Sequence, residues 1–226
     1  MSGNIKELQF PVTERTGAVS ALLMRPADAR ALLVLAHGAG AGMRHRFMEE
    51  VAVKLADRNV ATFRYQFPYM EKHIKRPDSQ SVLTDSVRAA VRAAMKNTGA
   101  LPVFAGGKSM GGRMTSLAAS QAPLNGVRGL IFFGFPLHAA GSPGAERGQH
   151  LLGIKLPMLF LQGSRDALAQ LKLLKPLTAK LGKRAELFVV EGGDHSFHLL
   201  KSAGRTDGDA LDSVVTKTVA WIRKHG

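Results

Sequence analysis

The sequence predicts an α/β fold: a mostly parallel central sheet with helices on both faces, entered through an antiparallel hairpin. Three observations predict it. Continuous apolar runs, the pattern of strands buried on both faces of a parallel sheet, recur along the chain. Between them lie segments whose apolar residues repeat at helical spacing. The first two strand-like segments, by contrast, are joined by a tight-turn signal with no room for a helix.

Residues 5–13 and 17–24 read as strands, with Thr16-Gly17 as the hairpin signal. ARALLVLAH (29–37) is the first continuous apolar run and ends in His-Gly-Ala-Gly. Residues 46–58 predict a helix, with Phe47, Val51 and Leu55 on its inward stripe. VATFRYQF (60–67) predicts a strand. The spacing predicts a helix over 81–97, with Leu83, Val87, Val91 and Met95 inward and Asp78, after Pro77, as its cap. Strands follow at 101–107, 126–135, 156–163 and 185–193. A short helix is predicted over 110–121. Another is predicted over 168–181, broken near Pro176 because proline cannot donate to the helix ladder. The last helix is the clearest, since Leu211, Val214, Val215, Thr218, Val219 and Ile222 share one face. Residues 136–155 leave room for a loop or small lid, so no large cap domain and an open site are expected.

The 226 residues suit one core, and no break in composition suggests a linker, so one domain over 1–226 is expected. The absence of cysteine excludes disulfides, a thiol nucleophile and cysteine-ligated metals. The first fifteen residues are polar and mixed in charge, unlike a secretory leader, and runs such as ALLVLA are far too short to span a bilayer. A cytoplasmic protein with no membrane span is expected. The formal charge of +14 raises nucleic acid or anionic lipid as partners. The cations are dispersed, however. The densest group, Lys72, His73, Lys75 and Arg76, lacks interleaved aromatics, so a solvated basic surface is expected, with no nucleic-acid partner. The sequence specifies no oligomeric state.

The chemistry concentrates in GGKSMGG (106–112), where Gly107-Lys108-Ser109-Met110-Gly111 matches G-x-S-x-G. A serine hydroxyl is a weak nucleophile. It needs exposure, a base within reach and donors for the oxyanion it creates. A sharp strand-to-helix turn exposes it, and such a turn requires small flanking residues. The string follows an apolar strand and opens a helix, which is the context that raises it above a chance match. A rival reading takes Gly107-Lys108-Ser109 as the end of a phosphate-binding loop. That pattern needs glycine at 102, where this chain has Pro102.

Among eight histidines, His195 in EGGDHSF (191–197) lies just after the last predicted strand, where a loop can reach the serine; His198 is second choice. An imidazole base needs a partner that fixes its tautomer. Asp166, in LFLQGSRD (159–166), follows the preceding strand and is the candidate. Asp194 is too close in sequence to orient His195, and Glu146 lies in a glycine-rich loop. The chain order Ser109, Asp166, His195 is that of an α/β-hydrolase fold. Small residues in His37-Gly38-Ala39-Gly40 let backbone N–H groups approach a substrate oxygen. Ala39, with Gly40 as alternative, and Met110 are the candidate oxyanion donors, and His37 is expected to brace the loop. Phe67, Tyr69 and Met70 are candidates for the pocket wall. His37, His195 and His198 have no metal-ligand spacing, so no metal and no cofactor are expected.

HGAG, FRYQFPYME, a Pro-Asp before a helix, GGKSMGGRM, LQGSRD and GGDHSF together resemble one branch of the α/β-hydrolases. It is the branch of the testis-expressed hydrolase-like proteins, close to dienelactone-hydrolase-like proteins. The resemblance implies the α/β-hydrolase fold, a Ser-His-Asp site at Ser109, His195 and Asp166, and no cofactor; it fixes no substrate, and a small ester or thioester is the target expected of the serine chemistry. Dienelactone hydrolases proper typically use cysteine, so serine at 109 argues against dienelactone cleavage itself. Two further readings stand beside it: a non-catalytic member of the fold that binds a partner, which the full set of three residues argues against, and a basic nucleic-acid or membrane-surface binder.

Overall fold

The computed structural model describes residues 5–226; residues 1–4, the first of the span assigned to one domain, lie outside the described residues. A hairpin of β1 (Ile5–Thr13) and β2 (Gly17–Met24) opens the chain. Then come β3 (Ala31–Ala36), α1 (Arg46–Ala56), β4 (Val60–Tyr65), α2 (Pro68–Glu71), α3 (Gln80–Thr98), β5 (Val103–Lys108) and α4 (Met110–Gln121). The chain continues through β6 (Val127–Phe133), β7 (Met158–Gly163), α5 (Leu171–Leu181), β8 (Ala185–Val190) and α6 (Asp207–His225).

The eight strands form one sheet in the order β1-β2-β4-β3-β5-β6-β7-β8. β1 and β2 pair antiparallel, β2 joins β4 antiparallel, and every pairing from β4 across to β8 is parallel. This is the α/β-hydrolase architecture that the alternation of elements predicts, with no large cap. The central strands β3, β4, β5 and β7 are buried at every position, which is why their sequences run apolar without alternation. The edge strand β1 instead turns only Phe10 and Val12 fully inward.

Two apolar layers cover the sheet. On one face Leu83 and Val87 of α3, Met114 of α4 and Leu174 of α5 pack against Val34, Phe63, Phe132 and Phe160. On the other, Val51 and Leu55 of α1 and Val214, Val215 and Trp221 of α6 pack against Leu33, Phe104 and Leu161. Each fully buried phenylalanine stabilises the fold by roughly 1.5–3 kcal/mol relative to an exposed ring.

Four details differ from expectation. Asp78 does not cap α3; Ser79 occupies the cap position, and the Asp78 carboxylate accepts the Tyr69 N–H at 2.7 Å. α5 continues through Pro176. Lys172 and Pro176 are both exposed, so the missing bond falls on the solvent side. Residues 68–71, for which the sequence predicts no element, form the single turn α2, with Pro68 in the first position, where its missing N–H costs no bond. α6 starts before its apolar stripe, at a capping box between Thr206 and Asp209. Residues 136–155 make a short 3₁₀ segment, Glu146–Gly153, which buries Leu151 against α4 and α5.

β5 approaches β6 so closely that a Cβ on Gly106 would stand 1.8 Å from the Ile131 carbonyl oxygen. Gly106→Ala should therefore cost about 3 kcal/mol, at the upper end of overpacking penalties, because backbone must move. Gly153→Ala, where a Cβ meets nothing within 4 Å, should stay within about 0.5 kcal/mol of the parent. Urea midpoints of the two variants check the contrast.

Candidate active site

Parallel strands leave the sheet at one edge, so the loops after β3, β5, β7 and β8 meet there. Ser109 lies between β5 and α4 with φ 51° and ψ −118°, a backbone region that L residues enter at a cost of about 1–3 kcal/mol. The turn is held from both sides. The Ser109 N–H donates to the Phe133 carbonyl at 3.1 Å, and the Ser109 carbonyl accepts from the Arg113 N–H at 3.1 Å. A Cβ on Gly111 would stand 2.5 Å from the Ala36 carbonyl oxygen, so the turn closes onto β3 only with glycine there.

The His195 ring nitrogen Nε2 lies 2.8 Å from Ser109 Oγ, and Nδ1 lies 2.7 Å from Asp166 Oδ2. Asp166 is buried and accepts two further hydrogen bonds, from Gln162 Nε2 and from the Leu168 N–H at 2.7 Å. A carboxylate with only acceptor capacity places the proton on Nδ1, so Nε2 is free to accept from the serine hydroxyl. Asp194 turns away from this chain: its carboxylate accepts the N–H groups of Ser196 and His198 and shapes the loop. His198 is exposed and bonds Asp207 at 2.6 Å.

The loop after β3 flanks Ser109. A Cβ on Gly38 would be 3.7 Å from that of Ser109. Among the described residues, the N–H groups of Ala39 and Met110 have no hydrogen-bond partner. Gly40, the alternative donor, is corrected by the structure: its N–H donates to Tyr69 Oη at 2.9 Å and is spent on the loop. His37 is fully buried. Its Nδ1 donates to the Gly38 carbonyl at 2.7 Å, and its Nε2 accepts the Phe67 N–H at 3.1 Å. Burial pushes its pKa down to about 4.

Beside Ser109 opens a cavity of about 460 Å³, between the N-terminal ends of α1 and α6. Phe47, Met48, Phe197 and Leu211 supply its apolar wall, and Phe47 stacks on Phe197 with centroids 6.0 Å apart. Phe67, Tyr69 and Met70 do not line it. Phe67 and Tyr69 are fully buried beneath the 37–40 loop, and Met70 packs on the core behind that loop. Sequence reasoning misplaced the wall because Phe47 also fits the inward stripe of α1. The signal for Phe197 was its place two residues after His195. Lys108 and Gln162 were also missed, one inside the motif and one at the end of an apolar strand. None of residues 136–155 lines the cavity. Among the described residues, no three His, Asp or Glu side chains cluster as metal ligands, and no helix is long and apolar enough to cross a membrane.

Residues 29–223 match the model of a family described as an alpha/beta hydrolase domain. The chain belongs to that family. Solved structures of this fold superpose over nearly the whole of this α/β-hydrolase. A dienelactone hydrolase from Anabaena variabilis ATCC 29413 matches with TM-score 0.78 and 19% identity, covering 100% of this chain and 99% of its own. A serine hydrolase without lid from Xanthomonas campestris matches with TM-score 0.73 and 17% identity, covering 98% and 96%. An esterase domain from Rhodothermus marinus gives TM-score 0.73 and 16% identity, covering 98% and 99%.

Buried neutral His37 links stability to acid. Its folded pKa of about 4 lies below the ordinary 6.5, so the unfolded chain binds the extra proton between those values. Stability from this site is complete above pH 6.5 and is lost as pH falls toward 4, by about 3 kcal/mol. His150, also lowered to about 4 by burial beside Arg113, acts in the same direction. Urea midpoints should be level from pH 7.5 to 6.5 and fall steadily to pH 4.5. A level profile down to pH 4.5 would contradict this reading of His37.

Proposed function

We propose that this α/β-hydrolase is a serine hydrolase, carboxylesterase-like, that cleaves small ester or thioester substrates through an acyl-enzyme. The observation that carries the proposal is the continuous hydrogen-bond chain Asp166–His195–Ser109, ending on a serine held at positive φ. Ser109 Oγ attacks the acyl carbonyl as His195 Nε2 takes its proton. Asp166 holds the ring and balances the imidazolium. The Ala39 and Met110 N–H groups stabilise the oxyanion. Met110 is also the first residue of α4, whose N-terminus favours negative charge. His195 then protonates the leaving group, and a water molecule, deprotonated by His195, releases the acid.

The cavity supports the substrate class. About 460 Å³ falls in the lower part of the range for small-molecule sites, and its apolar wall suits a compact acyl group. The sequence resembles the testis-expressed hydrolase-like branch, and membership of it, in a cytoplasmic setting with a small-molecule partner, is part of this proposal. The structural relatives include a dienelactone hydrolase and an esterase domain, so ester cleavage has precedent on this architecture.

Labelling with a fluorophosphonate probe tests the roles directly. Folded parent protein should label, and Ser109→Ala should not. His195→Ala should slow ester turnover by about 10⁴–10⁶-fold and Asp166→Ala by about 10⁴-fold. A parent protein that resists the probe removes the serine-hydrolase reading. An Asp166→Ala variant with unchanged turnover moves the acid elsewhere.

A further inference from the structure

Lys108, the residue before Ser109, takes no part in the proposed chemistry, yet its ammonium is buried beside the site. It is 9% exposed. Among the described residues, no carboxylate lies within ion-pair distance of its ammonium. The side chain leaves the end of β5 on the face opposite to the α3–α4 layer. A Cβ on Gly38 would lie 3.8 Å from Lys108 Cγ, so the stem runs beneath the loop that carries Ala39. Its Nζ reaches 5.7 Å from the Phe47 ring and 5.8 Å from the Phe197 ring, and donates to the His195 carbonyl at 2.6 Å. One side chain thus spans both loops that flank the nucleophile.

Burying an ammonium costs several kcal/mol unless its contacts compensate, and an apolar side chain could fill the same space without that cost. The fold holds the charge with a charge-assisted hydrogen bond and two aromatic rings, and the bond falls on the backbone of the residue whose ring must meet Ser109. We propose that Lys108 is a positioning residue, whose ammonium fixes the His195 backbone against the end of β5 and so sets the distance from Nε2 to Ser109 Oγ. The proposal rests on the serine-hydrolase reading of this site.

The charge state enters the function as well. The groups facing this region are Asp166 from the loop after β7, Asp194, His195 and His198 from the loop after β8, His45, Arg46 and Glu50 from the start of α1, and Asp207 from the start of α6. Burial pushes the Lys108 amine down to about 8, with Asp166 and Asp194 opposing that shift. Loss of the proton above that pH turns a charge-assisted bond into a weak neutral one.

Fluorophosphonate labelling rates from pH 6 to 10, with p-nitrophenyl acetate turnover measured alongside, test the proposal. Parent protein should show a falling limb above about pH 8. Lys108→Met should slow labelling about 10- to 100-fold, the equivalent of one lost hydrogen bond to a charged group, and should lack that limb. Lys108→Arg, which keeps a charge that does not titrate in this range, should recover rate relative to methionine and also lack the limb. Equal rates and equal profiles in all three proteins overturn the proposal while leaving Ser109 as nucleophile. If the variants do not fold, a parent profile level from pH 7 to 10 overturns it alone. Failure of the parent to label overturns the serine-hydrolase reading instead.

Discussion

The structure depends on how closely β3, β5 and the start of α4 are pressed together. A Cβ on Gly107 or Gly111 would stand about 2.6 and 2.5 Å from the same Ala36 carbonyl oxygen, well inside van der Waals contact. This close approach forces the chain to reverse within one residue, and Ser109 is that residue. The strain at φ 51° costs about 1–3 kcal/mol, which is affordable only because hydrogen bonds on either side and two apolar layers over-determine the turn. The sheet's parallel register does the rest: it delivers the ends of β7 and β8 to the same edge, with Gly163 paired to Val190 and their loops adjacent. Register and sterics thus bring the members of the hydrogen-bond chain from Asp166 to Ser109 to one edge, where Gln162 and the Leu168 N–H hold the carboxylate.

The loop after β3 is held by a different principle, polar pairing. β4, the Gln66-Phe67 step and α2 supply a series of groups that bond this loop. Gln66 Oε1 accepts the Met43 N–H at 2.8 Å, and buried Arg64 donates to the Met43 carbonyl at 3.2 Å. Tyr69 takes the Gly40 N–H, and His37 bridges the Gly38 carbonyl to the Phe67 N–H. Each such bond contributes about 1 kcal/mol net, but leaving one buried partner unmatched costs about 1–3 kcal/mol. The asymmetry makes the loop rigid: any shift that freed Gly40 would orphan the Tyr69 hydroxyl as well. With Gly40 spent, Ala39 is the neighbour whose N–H has no partner among the described residues.

Much of this is legible in the sequence, for reasons that differ by element. Strands such as Ala31–Ala36 and Met158–Gly163 announce themselves because burial on both faces leaves an unbroken apolar run. Ser109 is legible because its constraint is local: the glycines that the turn demands lie within three residues of it. Asp166 and His195 are legible only through their positions after strands, since loops at one sheet edge must converge. The direction of a single N–H is not. Whether Gly40 serves an oxyanion or Tyr69 is decided by a contact 29 residues away along the chain. The pocket wall is obscured for a related reason. Phe47 and Phe67 are both apolar residues beside the site, and only the packing of α1 against α6 leaves one facing the cavity while the other is buried under the loop.

The net charge of +14 invites the view that electrostatics chooses an anionic substrate, but local pairing argues otherwise. At the cavity rim Arg46 is bonded to Glu50 and His198 to Asp207, so the nearest charges largely cancel. Exposed cations farther off act across water and salt, where a Debye length of about 8 Å at physiological ionic strength removes most of their pull. The buried cation near the serine, Lys108, is turned toward a backbone carbonyl and two rings. A group so engaged organises the site more than it recruits a ligand. The apolar faces beside Ser109 are those of Phe47, Phe197, Met48 and Leu211, where burial contributes about 25 cal/mol per Å² of apolar area covered.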